Sequence, residues 1–264
     1  MKIGIWNVEG LCRNLKNSID VKIKLCDLFA CVETWHTVQS NINVSGYQHF
    51  SLPATKHRQK GRPSGGVVVY FKKEMLNALT KFKSALPDTM WIRLKGEYID
   101  ESFDTYICVT YIKTGKLSPT TTYPCKLQNE IERFSALGKI MLLGDCNART
   151  DYLDDFMTEC DNDVNFIPLP VNYSSDRMMK RNNLDKVVTT NGRSLINICK
   201  TSGLRILNGR VPGDFLGAFT CITPRGSSLV DYCIASDSLV QKVISLSVGL
   251  HTEYSQHPSK HYVW

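Results

Sequence analysis

Apolar and polar positions change places along this chain in short blocks, and the period of the blocks shifts often. Lys2–Val8 is an apolar run entered almost at the first residue and reads as a buried strand. Leu15–Leu28 carries Leu15, Ile19, Ile23 and Cys26 at the spacing of one helix face, and Phe29–Glu33 follows as a second strand. Val67–Phe71 is β-branched and aromatic, and Met90–Leu94 and Tyr106–Ile112 alternate, so all three read as strands. Thr122–Leu137 has a helical pattern with Pro124 tolerable in its first turn, and Ile140–Leu143 is a strand that ends at Gly144-Asp145. Leu195–Ser202 reads as a helix closed by Gly203 as a left-handed cap. Leu204–Leu207, Ala218–Ile222, Leu229–Ala235 and Val243–Val248 read as strands. Residues 146–190 hold no period: they are acidic, then carry Pro168 and Pro170, then turn basic, and they read as an ordered surface excursion. Many strands with two or three helices predict an α/β molecule, with sheets packed on one another and helices outside.

Composition narrows the class. At 264 residues the chain fits one domain over 1–264, because α/β folds of about 250 residues often form one. Apolar residues make up 42% and charged residues 22%, which excludes a mostly disordered, collagen-like or coiled-coil chain. The formal charge of +7 suits a polyanionic partner such as nucleic acid. The ten cysteines include no C-x-x-C pair, which argues against a zinc ribbon or a thioredoxin-type site. Cys108 and Cys233 lie inside apolar runs and read as small buried hydrophobes. The opening MKIGIWNVEG turns polar by residue 7, and no apolar run approaches the roughly 18 residues of a membrane span. The expectation is an intracellular protein, nuclear or cytoplasmic, with no membrane contact and no obligate protein partner.

Candidate chemistry gathers at the ends of apolar runs, where a sheet can aim side chains at one mouth. Asn7 and Glu9 follow the first strand, Glu33 ends the second, Asp145 and Asn147 end the Ile140–Leu143 strand, Asp231 interrupts Leu229–Ala235, and His257 lies near the C-terminus. Each has a plainer reading: a solvated turn for Glu33, an Asx turn for Gly144-Asp145-Cys146-Asn147, a structural ion pair for Asp231, an exposed ring for His257. Together they supply what phosphodiester hydrolysis needs. Hard oxygen ligands suit Mg²⁺, a carboxylate directs water, and an imidazole fixed by a buried carboxylate can meet the phosphate.

IWNVEGL, VETW, SGGVVVYF, TYICVTYI, MLLGDCNART and GSSLVDYCIAS occur in the order expected of the endonuclease/exonuclease/phosphatase superfamily. The chain resembles, over nearly its whole length, the apurinic-endonuclease-like domain of LINE-type (non-LTR) retrotransposons, most visibly in NGRSLINICKTSGLRILNGRVPGDFLGAFTCITPRGSSLVDYCIAS. The resemblance implies a DNase I-like fold, a four-layered α/β sandwich of two packed mixed sheets flanked by helices, with the site at one edge. It implies a Mg²⁺-dependent endonuclease, with Mn²⁺ as an alternative ion and DNA as the partner. By the same resemblance Glu33 matches the principal metal ligand, and Asn7 and Glu9 match the hydrogen-bonding positions beside the metal. Asp145 matches the residue that activates the water, Asn147 its companion at the phosphate, and Tyr111 the hydroxyl that touches the phosphate. Asp231 matches the carboxylate that holds the catalytic imidazole, and His257 that imidazole.

Three departures stand out. The family ends with Ser-Asp-His, whereas this chain has Ser255-Gln256-His257, so Gln256 occupies a place beside the metal where an aspartate would add charge. Ser259-Lys260-His261 gives a second alignment, with His261 as the reserve imidazole. After Tyr111 the chain reads Ile112-Lys113-Thr114, where Lys113 either contacts phosphate or is an exposed loop lysine. Only seven residues follow His257, so the closing strand is expected to be short or cut off and the central sheet to lose an edge partner. The basic loop Lys56–Arg62 could track a DNA backbone or be simply solvated. Three functions stay open: a nicking endonuclease, a hydrolase of a small phosphorylated molecule or lipid on the same fold, and a catalytically impaired DNA-binding remnant.

Overall fold

Period-two patterning with one apolar row per face builds two sheets in the computed structural model, which describes residues 1–12, 19–56, 61–157, 180–249 and 255–263. The first sheet uses β1 (Lys2–Asn7), β2 (Leu28–Val32), β3 (Tyr47–Leu52), β4 (Val67–Lys72), β13 (Ser245–Val248) and β14 (Lys260–Val263). Its order is β13-β14-β1-β2-β4-β3, and only β1 and β2 run parallel. The second uses β5 (Leu79–Lys83), β6 (Thr89–Leu94), β7 (Thr105–Tyr111), β8 (Lys139–Asp145), β9 (Leu204–Ile206) and β12 (Asp231–Ser236). Its order is β5-β6-β7-β8-β12-β9, with β7 and β8 parallel. A small hairpin, β10 (Cys221–Thr223) and β11 (Gly226–Ser228), stands apart from both.

One row from each sheet faces the other sheet. Ile3, Ile5, Ala30, Val32, Val67 and Val69 meet Met90, Ile92, Ile107, Val109, Met141, Leu143 and Cys233 in a continuous core. The opposite row of the second sheet, with Trp91, Cys108, Ile140, Leu142 and Ile234, is covered by Leu127, Ile131 and Phe134 of α2 (Tyr123–Ser135) and Leu195, Ile198 and Cys199 of α3 (Thr190–Thr201). The outer row of the first sheet, with Trp6, Phe29, Cys31 and Val68, packs on Ile19 and Ile23 of α1 (Ile19–Lys24). A short α4 (Asp237–Val240) adds Leu239 and Val240 to the central core. The result is the expected four-layered α/β sandwich. No helix among the described residues is long and apolar enough to cross a membrane.

Several details correct the sequence reading. α3 starts at Thr190 and not near Leu195, because the Thr189 hydroxyl accepts the Gly192 N–H and caps the helix early. The strands expected at 218–222 and 229–235 lie at Cys221–Thr223 and Asp231–Ser236. The sequence pattern signals none of β3, β5 and β14. β14 is four residues long, yet it pairs with both β13 and β1, so the sheet keeps an inner strand where the sequence predicts a missing edge. Cys108 and Cys233 are buried, and every described cysteine is free. Residues 13–18, 57–60 and 158–179 lie outside the description, and with them parts of the first helix, the basic loop and the irregular stretch.

The inner rows carry the polar residues of interest. Ile3 and Ile5 are followed on the same face of β1 by Asn7. Ile107 and Val109 lead to Tyr111, and Met141 and Leu143 lead to Asp145. Asp231 opens the row that continues with Cys233 and Ala235, and it pairs directly with Asp145 across the β8–β12 ladder. The apolar core turns polar at one end of the sandwich, on both sheets at once.

Candidate active site

Asp145 is the hub. It is buried at the end of β8, and its Oδ2 accepts a 3.0 Å hydrogen bond from Asn7 Nδ2 at the end of β1. Its Oδ1 accepts the Asn147 backbone N–H at 2.9 Å. That turn is possible because Asn147 takes a left-handed φ of 45° and because Gly144 precedes it: a Cβ on Gly144 would sit 1.8 Å from the Thr110 carbonyl oxygen, so β8 could not approach β7 so closely with any other residue. Asn147 is held on both sides, its Nδ2 donating to the Ile112 carbonyl at 3.0 Å and its own carbonyl accepting from Asn191 Nδ2 at 3.1 Å.

His257 arrives from the other sheet. Its Nδ1–H donates to Asp231 Oδ2 at 2.8 Å, which leaves Nε2 4.0 Å from Asp145 Oδ2. The turn that carries the ring is clamped to β1. Ser255 Oγ donates to the Asn7 carbonyl at 2.7 Å and accepts the His257 N–H at 3.0 Å, while Trp6 Nε1 donates to the His257 carbonyl. On the β12 side Thr220 Oγ1 accepts the N–H groups of Val230 and Asp231, each at 2.9 Å. Asp145, Asp231 and His257 form a group whose ligand atoms all lie within 4.8 Å of one another. His261 lies in β14, its backbone paired with Gly4 and Ser247, and His257 is the imidazole of this group among the described residues.

Charge balance explains the protonation states. Burial and the neighbouring Asp231 charge push the Asp145 carboxyl up to about 7, against the pull of His257, the Asn147 N–H and Asn7. Burial also works against an ionised Asp231, but the His257 and Lys260 cations outweigh it and hold this carboxyl well below its ordinary value. Burial disfavours the imidazolium of His257, yet the Asp231 charge and hydrogen bond raise it to about 11.

Glu33 reaches the site by a different device. Strand alternation would send it to the outer face after Val32, but its φ of 51° breaks the alternation. Its carboxylate accepts a hydrogen bond from Tyr111, whose hydroxyl is pushed above its ordinary value by burial and then by Glu33. Glu9 braces the neighbouring turn: its Oε2 accepts the Gln256 N–H at 2.8 Å, and its own N–H donates to Asn7 Oδ1 at 3.3 Å. Gln256 is exposed and is tied in by its backbone, its carbonyl accepting the Ile222 N–H of the β10–β11 hairpin at 2.8 Å. Lys113 is paired inside the protein, 3.1 Å from Ser64 Oγ and 3.4 Å from Asp88 Oδ2. Of the basic loop, Arg62 lies 3.5 Å over the ring of Trp35, two residues from Glu33.

Two further residues of this region make contacts that the sequence does not foretell. Ser255 is buried and makes the clamp just described. Lys260 is fully buried with its Nζ 3.0 Å from Asp231 Oδ2. Both stand in the two alignments of the closing motif, but their partners lie on other strands, so the local sequence does not signal these contacts.

The donors facing this end of the sandwich are mainly carboxylate and amide oxygens, a set that fits a hard divalent cation.

No family model matches the sequence, and no curated protein matches it. Solved structures do. An AP endonuclease from Leishmania major superposes with a TM-score of 0.68 at 14% identity, over 99% of this chain and 86% of that one. The APE2 catalytic domain of Xenopus laevis gives 0.67 at 16% identity, over 100% and 91%. The endonuclease domain of TRAS1, a telomere-specific non-LTR retrotransposon, gives 0.61 at 12% identity, over 99% and 96%. At these identities the likeness establishes the fold, a DNase I-like α/β sandwich of two mixed sheets.

Proposed function

We propose that this protein is a divalent-metal-dependent nuclease that hydrolyses DNA phosphodiester bonds. The observation that carries the reading is the junction of both inner rows at one end of the sandwich, where Asn7, Asp145, Asp231 and His257 form one connected polar chain. Support comes from the likeness in fold to AP endonucleases and to a retrotransposon endonuclease domain, and from a net charge of +7.

In this reading Glu33 holds the cation, with Asn7 and Glu9 beside it and Gln256 at the rim; Mg²⁺ or Mn²⁺ would supply charge neutralisation at the phosphoryl oxygens. Asp145 takes a proton from the attacking water, a task suited to a carboxyl near 7. Asn7 and the Asn147 N–H fix which way that carboxylate faces. His257 presents Nε2–H toward the phosphate, because Nδ1–H is committed to Asp231. The Tyr111 hydroxyl orients Glu33 and lies where the phosphate would enter.

The test is nicking of supercoiled and abasic plasmid by purified protein with Mg²⁺ or with chelator. Activity that needs the ion and is lost in Asp145→Asn is expected. Equal nicking by both proteins would mean a contaminant and end the proposal. A second reading, a silent DNA-binding remnant, is favoured by the neutral Gln256 alone. It predicts salt-sensitive duplex binding without cleavage, and Gln256→Asp separates the two by restoring nicking only if that charge was what the site lacked.

A further inference from the structure

Lys260 is the least expected residue of the site. It sits in β14 between Ile5 of β1 and Val248 of β13, on the inner row that continues with the core residue Tyr262. A lysine there is fully buried, and a buried ammonium persists only beside a counter-charge. Its Nζ lies 3.0 Å from Asp231 Oδ2, the same oxygen that accepts His257 Nδ1–H at 2.8 Å. The other oxygen, Asp231 Oδ1, is buried and has no hydrogen-bond partner among the described residues. So one carboxylate oxygen faces two cations from the opposite sheet, and its twin has no donor among the described residues.

We propose that Lys260 is an internal cation that keeps divalent metal away from Asp231. By composition Asp145, Asp231 and His257 form a group able to hold an ion. An ion bound through Asp231 would lie close to the Lys260 ammonium, a compact point charge with no route to solvent. It would also displace the imidazole from the oxygen that orients it. With Lys260 in place, Asp231 is left to position His257, and the cation is confined to the Glu33 flank. Lys260 is therefore a positioning residue that acts through Asp231. The inference rests on the proposed function only for the cation at the Glu33 flank and does not need DNA cleavage to hold.

Calorimetric titration of the full chain with MnCl₂ tests it, with wild type, Lys260→Met and Lys260→Met/Asp231→Asn compared. Lys260→Met is expected to bind one additional Mn²⁺, or to bind at least about tenfold more tightly, and the added Asp231→Asn change to return binding to the wild-type pattern. A folded Lys260→Met protein that titrates as wild type does overturns the proposal. Wild-type crystals soaked in MnCl₂ give an answer that does not depend on the variant folding. An anomalous peak against Glu33 and clear of Asp231 supports the assignment, and a peak coordinated by Asp231 refutes it. Neither readout uses nicking, so loss of the nuclease reading and loss of this one are separate results.

Discussion

Asp145 has a different kind of neighbourhood on each flank. Toward β12 and β14 lie Asp231, His257 and Lys260, all buried, with carboxylate and cations paired inside the protein. Toward β2 and β7 lie Glu33 and Tyr111, half-buried, and Glu33 has no ion pair among the described residues. The first flank already pairs its carboxylate with two cations as folded. The second presents an acid with no cation paired to it among the described residues. Under the proposed function the contrast would separate two jobs that the composition alone merges: holding the imidazole, and receiving a cation with its substrate.

The most severe way to probe the contrast is at the hub. Asp145→Asn and His257→Ala are each expected to lower plasmid nicking by about 10²–10⁴-fold, the usual contribution of a positioned proton-transfer group. A variant that nicks at the wild-type rate would remove that residue from the chemistry. Next comes the stability difference between flanks. Asp231→Ala strands two buried cations and should cost about 3–5 kcal/mol in urea unfolding, whereas Glu33→Gln should change stability by about 0.5 kcal/mol or less while lowering Mn²⁺ affinity. Equal destabilisation by the two would erase the distinction.

A third probe is pH, on protein stripped of metal. The Asp145 carboxyl is raised in the folded state from 3.8 to about 7, so its contribution to stability is full below about pH 4 and is lost as pH rises through 7. Asp231 is shifted the other way, so its contribution is present above its ordinary value and is lost only as pH falls below it. Unfolding midpoints should therefore fall between about pH 4 and 7, and Asp145→Asn should flatten that slope. An unchanged slope in the variant would assign the pH dependence elsewhere. The mildest probe is the exposed Gln256. Gln256→Asp should leave stability within about 0.5 kcal/mol and raise metal affinity by roughly tenfold, read by the same Mn²⁺ titration.

Legibility in the sequence tracks the physics of pattern. β4, β6, β7 and β8 are apolar runs buried on both faces, and they are legible as strands. β3 and β5 lie at sheet edges, with Gln48, His49 and Ser51 in one and Lys81 and Lys83 in the other, so half-exposure blurs their period. β14 is hidden because its inner row begins with a lysine, which reads as surface until Asp231 is brought across from the other sheet. At the site, the polar residues that end apolar runs can be singled out from the chain. Which of them share an oxygen cannot, since that depends on sheet-to-sheet stacking. Nor can the role of Gln256, whose backbone and not its amide is what binds Glu9.

The ring of contacts at Asp231 joins halves of the molecule that share no strand ladder at that point: the carboxylate belongs to one sheet and both of its cations follow the other. Any slippage of one layer over the other must open this ring before the hydrocarbon between them is wetted. The imidazole N–H of His257 is thus a gauge of layer alignment, and its proton resonance should fade at a lower temperature than the backbone signals of β7 and β8.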